Sequence, residues 1–338
     1  MVLLPTPYVD PPPGTELMTD ARLAYNGAIR QAGETAEFIF SGRADQQFFM
    51  DVLEGDSTDL IWSLVDPTGN VMYQNGVMSA TIGDSGPFKL STDGVYTIRV
   101  TSWEGTRTGA FKFQLWDVPP EAEYFIEIGD DVRGALETPG RSKVYYFHGV
   151  AGQDVMVDVK EGDNTSILWE ITHETGLVIY SNGIMSALIG DSEPLRLQLD
   201  GQYKLRVHGY YGATGAYAFK LWHVPPADEF EIAIGQEVRR DEPGPGAGLL
   251  ETPGVRDIYH FTAPAGTTIM FDVLVGETTY IYWTLEHVAG EVLLRNQIMS
   301  TLIGDSGPIT LALGGSYKIT VSGYMDTVGA YAFVLRPS

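Results

Sequence analysis

The sequence predicts an all-β protein made of three tandem antiparallel β-sandwiches of the jelly-roll type. Three observations predict it: short runs in which apolar and polar residues alternate, turn signals between these runs, and a marker that recurs three times along the chain. No segment shows the 3.6-residue period of an amphipathic helix. A parallel α/β fold needs crossover helices and is therefore not expected.

The recurring marker divides the chain into three units. It consists of Met-Ser followed after two residues by Ile-Gly-Asp-Ser, and it begins at Met78, Met185 and Met299, with spacings of 107 and 114 residues. A Pro/Gly loop at 241–246 lengthens the third unit. Units of this length exceed solenoid turns of about 20–50 residues and have the size of independent domains. The predicted domains, of which the first includes a Pro-rich N-terminal segment, are 1–118, 119–224 and 225–338.

Each unit contains the pattern of several short strands. In the second unit, Val155, Val157 and Val159 alternate with Met156 and Asp158. Turn-forming pairs of the Pro-Gly, Asn-Gly and Asp-Gly type separate runs of this kind. About seven or eight strands per unit, at intervals of about 10–15 residues, favour a β-sandwich or jelly roll.

The chain is strongly acidic and has no cysteine. Its 338 residues include 21 Lys+Arg and 44 Asp+Glu, which gives a net charge of −23 at pH 7. This charge repels nucleic acid and anionic lipid and attracts cations such as calcium, so we expect neither nucleic-acid binding nor membrane insertion. The absence of cysteine excludes disulfides, thiol nucleophiles and Cys-ligated metals. No apolar run of about 18 residues predicts a membrane span, and residues 1–20 lack the basic and apolar regions of a signal peptide.

Two sets of repeated tryptophans have different predicted roles. Trp116 and Trp222 lie on the outward side of the last strand of their units, just before Val-Pro-Pro. We expect them to pack against the following domain, because the last unit has Arg336 at this position. The two prolines favour an extended, semi-rigid connector. The other set shares the apolar side of a strand and is predicted to lie in the core: Trp62, Trp169 and Trp283.

Motifs that suggest catalysis lack their partners. Gly-Asp-Ser-Gly at 83–86 and 304–307 matches the surroundings of the trypsin-like nucleophile, but the second unit has Glu193 in place of the last Gly, and no His recurs at equivalent positions. An aspartic-protease site needs two carboxylates together, whereas these lie in separate domains. The six histidines have no spacing suited to zinc. We therefore expect that the protein is not an enzyme.

Acidic turns are the candidate metal ligands. They follow the strands that end in Asp51, Asp158 and Asp272, and carboxylates together with turn carbonyls suit a hard cation such as Ca²⁺. The alternative is a solvated acidic turn. No other cofactor is expected. The candidate calcium ligands are Asp51, Glu54, Asp56, Asp158, Glu161, Asp163, Asp272 and Glu277.

An aromatic residue recurs in the loop before the last strand of every unit. It lies among glycines and polar residues, where core packing would not demand a ring. Exposed rings near carboxylates or amides suit stacking against sugars, and the alternative is a ring that covers the open edge of the core. The candidate ligand-binding residues are Trp103, Tyr210, Tyr211 and Tyr324.

Framework residues of the third unit form a pattern that the second unit largely shares. In the third unit the pattern comprises 251–261, beginning Glu-Thr-Pro-Gly, then 264–266, 271–273, 315–321 and 329–331. It resembles the bacterial pre-peptidase C-terminal domain family. The second unit matches through 143–147, 151–152 and 201–207, whereas the first departs at its opening. The resemblance implies a non-catalytic β-sandwich module of secreted or surface proteins, often accessory to enzymes, sometimes calcium-binding, and in some members binding polysaccharide or collagen.

These observations favour a non-catalytic extracellular repeat module. We expect it to serve as a stalk, adhesion or assembly unit of a larger bacterial surface or secreted protein. Its expected partners are polysaccharide or other copies of surface proteins. The alternative is a carbohydrate-binding module that uses the loop aromatics.

Overall fold

A computed structural model describes residues 15–17, 24–276 and 280–338 of the chain. Within these residues the regular elements are β-strands and two short 3₁₀ turns, Trp103–Gly105 and Tyr210–Gly212. The strands form six sheets, two for each repeat. The predicted all-β class with three tandem sandwiches is confirmed. No helix among the described residues has the length and apolar character needed to cross a bilayer.

The first sandwich has a five-stranded sheet in the order β1-β3-β8-β5-β6 and a four-stranded sheet in the order β2-β9-β4-β7. Its strands are β1 (Thr15–Leu17), β2 (Ala24–Ile29), β3 (Thr35–Gly42), β4 (Gln47–Glu54), β5 (Asp56–Val65), β6 (Val71–Ser79), β7 (Ser85–Lys89), β8 (Gly94–Ser102) and β9 (Gly109–Val118).

The second sandwich repeats this topology, with sheets β10-β12-β17-β14-β15 and β11-β18-β13-β16. Its strands are β10 (Ala122–Phe125), β11 (Asp131–Leu136), β12 (Ser142–Gly149), β13 (Asp154–Glu161), β14 (Asp163–His173), β15 (Val178–Ser186), β16 (Leu195–Arg196), β17 (Gly201–Gly209) and β18 (Gly215–Val224).

The third sandwich has sheets β19-β22-β27-β24-β25 and β20-β28-β23-β26. The Pro/Gly insertion divides the equivalent of β11 into two short strands, β20 and β21, which both pair with β28. Its strands are β19 (Asp228–Glu231), β20 (Glu237–Val238), β21 (Leu249–Leu250), β22 (Arg256–Ala263), β23 (Thr267–Gly276), β24 (Ile281–His287), β25 (Val292–Ile298), β26 (Ser306–Leu311), β27 (Gly315–Gly323) and β28 (Gly329–Pro337).

One pairing in each sandwich differs from the antiparallel expectation. The edge strands β1, β10 and β19 run parallel to their neighbours β3, β12 and β22. In the second sandwich, β11 intervenes and belongs to the opposite sheet, so the chain returns to its first sheet in its original direction. A crossover connection of this kind produces parallel pairing.

Each sandwich has its own core, centred on one of the predicted tryptophans. Trp62, Trp169 and Trp283 are at most 1% exposed, which confirms their predicted core position. Their indole N–H groups have no hydrogen-bond partner among the described residues. Next to Trp62 lies Gly76, where a Cβ atom would come within 2.2 Å of the indole nitrogen. The rings are therefore held by close packing rather than by polar contacts.

Candidate functional site at the joints between the sandwiches

Each sandwich has an outer face on its second sheet, built from the same sequence positions. In the first sandwich we define this outer face by Phe49, Asp51, Asp84 and Trp116. Phe49 and Asp51 alternate along β4 with core residues, so they point away from the core. The indole N–H of Trp116 donates a hydrogen bond to Asp51 Oδ2 at 2.9 Å.

The other two sandwiches carry equivalent outer faces. In the second, the Trp222 indole donates to Asp158 Oδ2 at 2.7 Å, and Lys220 Nζ lies 4.4 Å from the centroid of that ring. In the third, the Arg336 guanidinium bonds to Asp272. Arginine thus supplies the donor that tryptophan supplies elsewhere, which explains how the carboxylate stays paired in all three repeats. The equivalent sets are Met156, Asp158, Asp191 and Trp222, and Met270, Asp272, Asp305 and Arg336.

The aspartate of each Gly-Asp-Ser marker accepts a hydrogen bond from a backbone N–H group near the outer face. The carboxylate of Asp84 accepts the Val52 backbone N–H at 2.8 Å, and Asp191 and Asp305 make the same bond in their sandwiches. The bond lies where β4 has a register shift, between Val52 and Glu54. A bulge leaves backbone groups unpaired, and the aspartate satisfies one. Each of these aspartates thus caps a neighbouring strand of its own sandwich.

At the first joint, Phe49 of the first sandwich fills a socket on the second. Phe49 is 3% exposed although it is not part of its own core cluster. A Cβ atom on Gly140 would lie 2.7 Å from the Phe49 ring, and one on Gly212 would lie 2.6 Å from it. Both glycines also have positive φ, 78° and 69°, a conformation that glycine adopts at low cost. The socket, defined by Pro139, Gly140 and Gly212, therefore needs glycine for both backbone and space.

The second joint repeats this arrangement with methionine. Met156 occupies the position of Phe49 and is 1% exposed. A Cβ atom on Gly254, which corresponds to Gly140, would lie 3.1 Å from Met156 Sδ and equally close to Pro194. The two joints are thus built alike from equivalent residues.

Charged contacts also cross the second joint. Lys160 Nζ of the second sandwich lies 3.4 Å from Asp326 of the third, and Arg256 lies 3.8 Å from Glu193. Asp326 corresponds in the repeat to Gly212, and Lys160 corresponds to Leu53. Apolar and small residues at the first joint are replaced by an ion pair at the second.

Burial at the joints changes the acidity of two carboxyl groups. The pKa of Asp84 is raised to about 6, mainly by burial and further by the charge of Asp51. The pKa of Asp191 is likewise raised to about 6, by burial and by the charges of Asp158 and Asp326. Near-neutral titration of both groups follows from their enclosure between sandwiches.

A cleft of about 530 Å³ opens at the first joint. It is lined from the first sandwich by Tyr73, Asp84 and Phe88 and from the second by the residues Arg141, Arg206, His208 and Tyr211. Burial lowers the pKa of the His208 imidazole. The cleft combines aromatic rings with charged hydrogen-bonding groups, the composition of a small-molecule site.

A second cavity at the same joint accounts for the position of Trp116. Trp116 lines about 420 Å³ together with Asp51 and Asp84 of its own sandwich and Glu137, Pro139 and Gly212 of the next. Trp222 is half-buried beside Asp158, which lies close to Asp326 of the third sandwich. Trp116 thus lies next to residues of the following sandwich, and Trp222 bonds to a carboxylate that does so.

The predicted calcium ligands are mostly held by separate partners. Asp51, Asp158 and Asp272 accept the bonds described above, Glu54 pairs with Lys112 at 3.2 Å, and Glu161 pairs with Arg133 at 2.9 Å. These five described carboxylates therefore already have hydrogen-bond or ion-pair partners. Glu277 lies outside the described residues, as do the side chains of Asp56 and Asp163.

One group of three carboxylates comes together within the described residues. It consists of Asp158, Asp191 and Asp326, with ligand oxygens within 4.8 Å of one another. Lys160 Nζ lies 2.5 Å from Asp158 Oδ2, so an ammonium already supplies positive charge there. Sequence reasoning proposed only Asp158. The recurrence of Asp191 was visible in the marker, but Asp326 has no acidic equivalent in the other repeats.

The loop aromatics lie at the surface. Trp103, Tyr210, Tyr211 and Tyr324 are 46–53% exposed. The residues Glu104, Tyr211 and Met325 at the same loop position all have positive φ, which shows that the turn is conserved among the repeats. Of the four aromatics, Tyr211 lines the cleft at the first joint.

The chain is similar to several solved structures, of which three are described. No family model matches the chain, and no curated protein matches it. The human MASP-1/3 CUB1-EGF-CUB2 structure is similar at 9% identity, covering 59% of this chain and 99% of that chain, with a TM-score of 0.22. The periplasmic g-type lysozyme inhibitor PliG of Aeromonas hydrophila is similar at 17% identity, covering 30% of this chain and 91% of that chain, with a TM-score of 0.24.

The third similar structure is the pre-peptidase C-terminal domain of a collagenase from Bacillus anthracis. Identity is 19%, the TM-score is 0.27, and the match covers 30% of this chain and 97% of that chain. The all-β class of this chain rests on its own strands, and this structure belongs to the family that the second and third repeats resemble in sequence.

Proposed function

We propose that the chain is a non-catalytic extracellular repeat module, a stalk or assembly unit of a larger surface or secreted protein. The observation that carries this proposal is the repeated use of one outer face. Phe49 and Met156 each enter a socket of the next sandwich. Successive sandwiches are thus joined in the same way, and repetition of one joint builds an extended rod.

The marker residues that suggest catalysis form hydrogen bonds to the backbone of neighbouring strands. Asp84 caps β4 and Ser192 Oγ accepts the Val157 backbone N–H at 2.9 Å in β13. Their polar atoms are engaged with backbone, which supports a structural role for the Gly-Asp-Ser marker. The extracellular setting rests on the resemblance to pre-peptidase C-terminal domains.

Small-angle scattering of the dilute chain tests the rod. We expect a single elongated particle for the wild-type chain, and broader interdomain distances for Phe49→Asp, because a carboxylate cannot remain buried against Gly140 without a partner. Met270→Asp is the matched control, since Met270 is the equivalent residue on the third sandwich and is 39% exposed. Freely jointed domains in the wild-type chain would refute the proposal.

A second candidate function is carbohydrate binding at the first joint. The cleft of about 530 Å³ favours it, because Tyr73 and Tyr211 offer rings for stacking and Arg141 and Arg206 offer hydrogen-bond donors. Titration with an oligosaccharide panel, followed by NMR, tests it. Binding that Tyr211→Ala abolishes and Trp103→Ala leaves intact would support the cleft. Equal loss in both variants, or no binding, would contradict it.

A further inference from the structure

The outer face of the third sandwich is open, unlike its two equivalents. Met270 is 39% exposed, whereas Phe49 and Met156 are 3% and 1% exposed. Asp305 is exposed, whereas Asp84 and Asp191 are half-buried. The third sandwich therefore presents, without a cover from the described residues, the same surface that the first two bury.

The first sandwich carries the complementary feature. Gly33 and Gly105 correspond to the socket glycines Gly140 and Gly212, and their φ angles are 78° and 67°. The Gly33 N–H donates to Gly105 O at 2.9 Å, which holds the two turns together. No described atom lies within 4 Å of a Cβ atom built on either glycine. This socket is formed, and no described residue fills it.

We propose that copies of this chain associate head to tail, with Met270 of one copy entering the Gly33–Gly105 socket of the next. The proposal rests on the proposed function, since it repeats between chains the joint that links sandwiches within one chain. Because the two contact surfaces are different, the contact is heterologous. Such contacts leave a free surface at each end and generate open filaments when they do not close into a ring.

The charges on the outer face of the third sandwich and on the Gly33–Gly105 socket support a second copy of the chain as the partner. Arg336 replaces the tryptophan of the internal joints, and Glu104 replaces Tyr211 of the socket loop. At the first joint, Trp116 lines a cavity with Gly212, the residue next to Tyr211. The same geometry between copies places Arg336, which also pairs with Asp272, beside the loop of Glu104, so a guanidinium faces a carboxylate there.

The contact between copies is expected to be weak. Internal joints form between sandwiches tethered by a short connector, which supplies a high effective concentration, whereas separate copies lack this tether. Self-association should therefore depend on protein concentration and appear toward about 1 mM.

Sedimentation velocity with two blocked variants tests the inference. Met270→Asp blocks the outer face of the third sandwich, and Ala32→Arg, at an exposed turn next to Gly33, blocks the socket. Each variant alone should be monomeric at concentrations where the wild-type chain associates. An equimolar mixture should form a dimer that does not grow, because only one compatible pair remains. Val150→Asp, at a 54% exposed position of the second sandwich, is the matched control and should associate as the wild-type chain does.

Three outcomes would overturn the inference. They are a wild-type chain that stays monomeric up to about 1 mM, association that Met270→Asp leaves unchanged, and blocked variants that fail to pair when mixed. Scattering from the dilute monomer separates these outcomes from failure of the proposed function. A rigid rod that does not associate refutes only the head-to-tail contact, whereas flexible joints would refute both.

Discussion

The ammonium of Lys160 lies 3.4 Å from the carboxylate of Asp326, across the joint between the second and third sandwiches and 166 residues away along the chain. It also contacts the buried Asp158. Asp158 and Asp326 form a group of three carboxylates with Asp191. The ammonium of Lys160 therefore lies beside three carboxylates. Burial lowers the pKa of Lys160, but the hydrogen bond and charge of Asp158, together with Asp326, outweigh this effect. The pKa of Lys160 is therefore raised.

We expect Lys160→Leu, which installs the residue found at the equivalent position of the first joint, to destabilise the second joint. Three carboxylates would then repel one another, and the half-exposed position limits the loss to about 1 kcal/mol at pH 7. Thermal unfolding of both chains measures this loss of stability. The loss should shrink at pH 5, where Asp191 becomes protonated, and Lys160→Arg should retain stability. A loss that is equal at both pH values would contradict this account.

Calcium should stabilise Lys160→Ala more than the wild-type chain. Removal of the ammonium frees Asp158, Asp191 and Asp326 to hold a hard cation, and a ligand that binds only the folded state raises the unfolding temperature. Calorimetry with calcium and with chelator is the measurement. Equal stabilisation of both chains would place a bound ion elsewhere, and no stabilisation of the variant would show that these carboxylates do not bind calcium.

The stability of the third sandwich should fall as the pH rises from about 4 to about 7. Asp257 is fully buried, and burial raises its pKa to about 7, while hydrogen bonds from Tyr331 and Tyr259 act in the opposite direction. Since the folded state binds the proton more tightly than the unfolded state, deprotonation opposes folding, with about 1.4 kcal/mol for each unit of pKa difference.

Substitution of Asp257 tests this pH dependence. Asp257→Asn cannot ionise at this position, so it should reduce the slope of the stability profile between pH 4 and 7, to which Asp84 and Asp191 still contribute, and leave the chain more stable than wild type at pH 8. Glu231→Gln, an exposed acidic position of the same sandwich, is the control and should keep the wild-type profile. Urea unfolding at several pH values is the measurement, and an unchanged slope in Asp257→Asn would refute the assignment.

Two glycine substitutions separate the cost of disturbing the packing at the first joint from the cost of the backbone conformation. Gly140→Ala and Gly33→Ala change residues with the same φ of 78°, so both carry the same backbone cost of about 1 kcal/mol. Only Gly140 faces Phe49, at a distance that a Cβ atom cannot tolerate. Gly140→Ala should therefore cost about 1–3 kcal/mol more than Gly33→Ala in denaturant unfolding. Equal costs would mean that Phe49 moves aside freely.

Much of the fold could be predicted because its signals are local. Alternation places Val155 and Val157 inward and Met156 outward within a few residues of chain, and the recurrence of Trp169 at a core position follows from the same two-residue period. The parallel edge strands could not be predicted in this way, because β10 and β12 have the same alternation in either direction, and only the crossing of β11 decides it.

The three repeats, their strands and the buried tryptophans follow from the amino-acid sequence alone, because residue period and turn chemistry act over short distances. The contact of Phe49 with Gly140, and the approach of Asp326 to Asp158 rather than to the acidic turn of its own sandwich, become visible in the folded chain. Both contacts cross a joint, where the position of one sandwich on the next sets the distances. A joint of this kind depends on shape and charge on two separate surfaces, and no local pattern in the chain records how those surfaces meet.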